Sequence, residues 1–147
     1  MDGSVNMLNE AKRRLSQNLK KNILKNLCYE LVEINSIMTG NSSFPLQADV
    51  LVSNSALHHF HNPNNFWDAL KKLGNKNCIH FHRDLIRPAS IEKAFQAQQI
   101  LLPDSPEILK KDFLASLNAS FTVDEVKVQL INAGLPQLEV YKVDELY

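Results

Sequence analysis

The run Ala48-Asp49-Val50-Leu51-Val52-Ser53-Asn54, then a helix start at Asn62-Pro63, then a second strand expected over 78–85, constrains this chain more than any other feature. Apolar residues placed continuously read as a parallel strand, because a strand covered on both faces needs apolar side chains in both directions. Asn62 supplies a capping oxygen, Pro63 has its φ already set for a first helical residue, and Gly74 closes the helix. Strand, helix and strand joined by short loops make a parallel pair through a crossover. The expected class is α/β.

The flanks fit that frame. Over 5–27 the apolar residues Met7, Leu8, Ala11, Leu15, Leu19, Ile23, Leu24 and Leu27 recur at helical steps, and Ser4 can cap the first turn. The brief alternation over 30–34 predicts a short strand, followed by a loop with Gly40, Asn41 and Pro45. Two helices are expected over 90–102 and 106–117, broken by Pro103 and Pro106. They form a helical insert before the last unit. Thr122 and Glu125 have capping-box spacing, Gly134 ends that helix, and 138–143 alternates like a strand.

A length of 147 residues accommodates one domain, taken as 1–147, and 44% hydrophobic with 22% charged residues is ordinary globular usage. Sixteen basic residues against sixteen acidic ones leave no net charge, so neither nucleic acid nor an anionic membrane is an expected partner. Cys28 and Cys78 are too few for a disulfide framework or a zinc site. With no apolar run long enough to span a membrane and no secretory leader, a cytoplasmic location is expected.

The stretch Ala48 to Phe60, read through Ser53-Asn54-Ser55-Ala56-Leu57-His58-His59, resembles the fourth strand and exit loop of class I S-adenosylmethionine-dependent methyltransferases. Asp2-Gly3-Ser4-Val5-Asn6-Met7-Leu8, with Ala11 and Arg14, is similar to that family's turn after the second strand. The tail from Asp84-Leu85-Ile86-Arg87-Pro88 through Ser116, Leu117 and Thr122 to Gly134 resembles a bacterial branch of it. The resemblance covers nearly the whole chain. It implies a partial Rossmann-like methyltransferase sheet, mostly parallel, flanked by helices, with the helical insert between its last strands.

On that resemblance S-adenosyl-L-methionine is the implied cofactor. Asp2 and Gly3 stand where the ribose hydroxyls are held, Met7 where adenine is packed, and Asn35 with Ser36 where the adenine amino group is met. Asn54 and Ser55 would face the methionine end, and His58 and His59 the methyl acceptor. Plainer readings exist for several of these: a terminal residue for Asp2, a core side chain for Met7, a turn residue for Asn35. All five histidines, His58, His59, His61, His80 and His82, lie close in sequence, but no carboxylate or thiolate set joins them, so no metal is expected.

The family's glycine-rich loop has no counterpart among the four glycines. Its first two strands would precede Asp2, and another strand would follow Tyr147. The expectation is a truncated methyltransferase acting on a small-molecule acceptor and inactive alone, or a non-catalytic interaction domain derived from that fold. A homodimer or a complementing N-terminal half would then cover the exposed edge beside Val50 and Val52.

Overall fold

Hydrophobic spacing on one central helix organises the molecule. In the computed structural model, which describes residues 4–18, 28, 31–39 and 47–147, the elements are α1 (Val5–Asn18), α2 (Ile34–Thr39), β1 (Ala48–Asn54), α3 (Pro63–Leu73), β2 (Gly74–Arg83), α4 (Ile91–Leu101), α5 (Glu107–Ala119) and α6 (Val123–Asn132). Asn62 caps α3 as its spacing predicts, its side-chain oxygen accepting from the Asn64 N–H at 3.1 Å. α3 then buries Phe66, Trp67, Ala69, Leu70 and Leu73 along one face. Each large apolar side chain so buried contributes roughly 1.5–3 kcal/mol.

β1 and β2 pair in parallel, with Leu51 opposite His80 and Ser53 opposite His82 on the inner face. The fold is thus α/β, a two-stranded parallel sheet flanked by helices. α2 packs on α3 through Ile37, and α6 packs on it through Leu130. The Trp67 indole N–H donates to Gln129 Oε1 at 3.1 Å within this core. α6 opens with the expected capping box between Thr122 and Glu125. It ends at Gly134, whose φ of 72° lets the Leu135 N–H reach back to the Leu130 carbonyl at 2.8 Å. Among the described residues no helix is long and apolar enough to cross a membrane.

Several expectations are corrected. β1 is covered on one face only: Leu51 is buried, whereas Val50 and Val52 on the opposite face are 53% and 68% exposed. Continuous apolarity here reflects β-branched strand preference rather than a second covering layer. The strand expected over 30–34 does not extend to Ile34, which instead opens α2, because burying Ile37 against α3 rewards helical spacing. Glu30 lies outside the described residues, as do Asp2, Gly3 and 19–27 of the expected first helix; α1 is described as far as Asn18.

β2 begins at Gly74 rather than at 78, and ends at Arg83. The register slips between Ala48↔Gly74 and Val50↔Ile79, and Asn75 folds this irregular start by accepting from the Asn77 N–H at 2.8 Å. The alternating stretch 138–143 forms no strand. Leu138 and Val140 pack against the core, but no ladder partner lies beside them among the described residues. The expected helical insert is present as α4 and α5, which contact each other.

Gly74 joins helix to strand with φ −78°, so close approach rather than backbone freedom selects it. A Cβ there would stand 2.8 Å from Cys78 Cβ and 3.0 Å from its Sγ. Gly74→Ala is therefore expected to lower stability by about 1–3 kcal/mol. Urea unfolding measures this, and an unchanged midpoint would show that the start of β2 relaxes freely.

Candidate functional site

The chain turns sharply where β1 ends. Ser55 has φ 52°, in the left-handed region that disfavours a residue with a Cβ. Its N–H donates to the Arg83 carbonyl at 2.8 Å, which fixes the turn against the end of β2. Asp84, the first residue past β2, then gathers the exit loop. Its Oδ2 accepts from the Ala56 N–H at 2.7 Å and the Leu57 N–H at 2.6 Å. Its Oδ1 accepts from its neighbour Leu85 N–H at 2.9 Å and from His58 Nδ1 at 2.6 Å.

His58 is buried, with its side chain 3% exposed, so the Asp84 contact is shielded from water. The dyad serves as a clamp: it holds 54–59 as a rigid rim at the carboxyl end of a parallel pair. Ligands of open α/β sheets bind at such ends. Asn54 and His59 are exposed on this rim, and Asn54 Nδ2 lies 3.4 Å from Ser55 Oγ.

A second polar chain crosses the inner face of the sheet. Ser53 Oγ lies 2.8 Å from His82 Nδ1, and His82 Nε2 lies 3.2 Å from His80 Nδ1. The rings of Phe66 and Trp67 stand edge-on to His82 at 5.7 and 6.0 Å. Burial pushes the His82 imidazole down to about 4, the nearby His80 pushes the same way, and Asp84 opposes both. His80 is also lowered, by burial.

The structure brings Asn54, Ser55, His58 and His59 together. It does not bring Met7 to them: Met7 is 60% exposed, and α1 contacts no other described element. Ser36 spends its hydroxyl on the Glu33 carbonyl at 2.7 Å, within its own turn. The backbone of Asn35 lies in α2, and Asp2 and Gly3 lie outside the described residues. Among the described residues no group of three or more His, Cys, Asp or Glu is placed to hold a metal ion. Sequence reasoning missed Asp84 as a site residue, although an acid directly after a strand's carboxyl end is the available signal. Comparison with protein-family models, with curated proteins and with solved structures returns no match.

His82 generates a pH prediction. Its folded value lies below the ordinary 6.5, so between pH 6.5 and 4 the unfolded chain binds a proton that the folded chain refuses. Stability from this group is complete above pH 6.5 and falls as pH drops toward 4. Allowing for partial exposure, the loss is about 1–2 kcal/mol. Urea unfolding of the wild type and His82→Phe across this range measures the difference, and parallel curves would overturn the assignment.

Proposed function

We propose that this chain is a Rossmann-like scaffold of an S-adenosylmethionine-dependent methyltransferase directed at a small-molecule acceptor, without activity by itself. The observation that carries this reading is the clamped rim 54–59, in which the Asn54-Ser55 turn and His59 are displayed at the carboxyl end of a parallel β-α-β unit. Methyl transfer from a sulfonium depends on alignment more than on acid or base groups, so a buried His58 suits a positioning role. Asn54 and Ser55 would meet the methionine end of the cofactor, with His59 on the acceptor side. Asp2, Gly3, Met7, Asn35 and Ser36 belong to the adenosine end in this reading. With no glycine-rich loop among its four glycines, the chain should hold the cofactor weakly. A second copy or a complementing N-terminal half is the proposed partner, in the cytoplasm.

The reading of a non-catalytic interaction domain is favoured by a different observation: α1, with Met7 exposed, stands apart from the rim, and the outer sheet face is apolar and bare. Nuclear magnetic resonance titration with S-adenosylhomocysteine separates the two. The methyltransferase reading expects weak, saturable shifts concentrated at 54–59 and reduced by Asn54→Ala, since Asn54 ends a paired strand on that rim. Shifts absent from 54–59 would leave the interaction domain. A homodimer is tested by light scattering at several concentrations, where a mass of 16.7 kDa throughout excludes it.

A further inference from the structure

Between the inner face of the sheet and the stretch that follows α6 lies a cavity of about 560 Å³. Its walls are mainly apolar, formed by Leu57, Phe66, Trp67, Val126, Leu130 and Leu138. This volume and lining are those of small-molecule sites. The histidines on its inner wall bond to each other and to Ser53. Asp84, also on the wall, is occupied by His58 and three backbone N–H groups. Glu139 borders the cavity as an exposed residue.

Arg83 is the feature that breaks this pattern. Arg83 is an exposed residue of the lining, and its guanidinium carbon stands 3.5 Å over the ring of Tyr147, which also borders the cavity. Stacking uses the flat face of the guanidinium, and its N–H edge meets no acceptor among the described residues. A planar fork held in this way is preorganised for a carboxylate, which it can bind through two parallel hydrogen bonds. Among the described residues no lysine or second arginine lines the cavity, and Asp84 and Glu139 add negative charge to its wall, so a monoanion fits it better than a dianion.

We infer that this cavity binds a small amphipathic carboxylate, a medium-chain acid, with its apolar chain against Trp67 and Leu130 and its carboxylate on Arg83. The inference uses neither Asn54 nor Ser55 and stands independently of the methyltransferase reading. Trp67 is the single tryptophan of the chain and lines the cavity, so its emission reports occupancy. The full chain is titrated with hexanoate, octanoate and decanoate, with 1-decanol as the uncharged match. A saturable change is expected, tightening roughly tenfold for each two-carbon extension. Arg83→Gln should weaken decanoate roughly tenfold and leave 1-decanol unchanged. Val126→Phe, which fills the cavity, should weaken both. The wild-type comparison of decanoate with 1-decanol needs no variant to fold, and equal affinity there would overturn the carboxylate assignment. So would undiminished decanoate binding by a folded Arg83→Gln chain. No saturable response to millimolar decanoate would overturn the site itself.

Discussion

Burial of one face of α3 is the constraint on which the other elements depend. A two-stranded sheet is not stable alone in water, and here it is held by the layer that Phe66, Trp67, Ala69, Leu70 and Leu73 press against it. α2 and α6 then attach to the same helix, so its apolar stripe is shared by three neighbours. Two polar contacts orient the attachment of α6. Trp67 donates to Gln129, and Lys71 Nζ donates to the Ala133 carbonyl at 2.8 Å. The first lies in the buried core and would be costly to leave unmade, whereas Lys71 is partly exposed.

The carboxyl end of the sheet depends on that frame in turn. β1 and β2 arrive in register, which places Asp84 beside the first residues of the loop leaving β1. The carboxylate supplies acceptors for backbone N–H groups that have no strand partner. In doing so it offsets the strain of a left-handed Ser55 and immobilises His58. The result is a rim whose backbone is fixed while Asn54 and His59 remain accessible. Preorganisation of this kind suits ligand binding, because little freedom is left to lose on association.

The two faces of the sheet differ in chemistry. The inner face carries Leu51 with Ser53, His80 and His82, whose polar atoms satisfy one another beside the aromatic rings of α3. The outer face carries Val50, Val52, Ile79 and Phe81, each more than half exposed. Polar residues therefore occupy the covered side and apolar residues the open one, the reverse of an antiparallel sheet with one wet face. A burial that costs each histidine its charged form is consistent with the downward shifts of His80 and His82.

Local rules within a few residues made much of the fold legible. Asn62-Pro63 and the Thr122–Glu125 pair place helix starts at Pro63 and Val123, because a cap is satisfied by residues two or three positions away. Gly134 marks a helix end for the same reason. The parallel pairing of β1 with β2 follows from the short strand-helix-strand spacing, and the grouping of Asn54, Ser55, His58 and His59 follows from their adjacency in the chain. What depended on distant partners was not legible. Alternation at 138–143 states that a strand is available, but a ladder needs a neighbour at hydrogen-bonding distance, and only the tertiary structure decides whether one is there. Asp84 likewise carries no sequence mark of its role, since its hydrogen bonds reach back 26–28 residues to loop positions that only the register of two strands brings near. By itself the sequence determined where α3, α4 and α6 begin, which strands pair in parallel and which residues share the exit loop. The covering of a single sheet face, the clamp on that loop and the cavity beneath it were decided by packing between segments far apart in the chain.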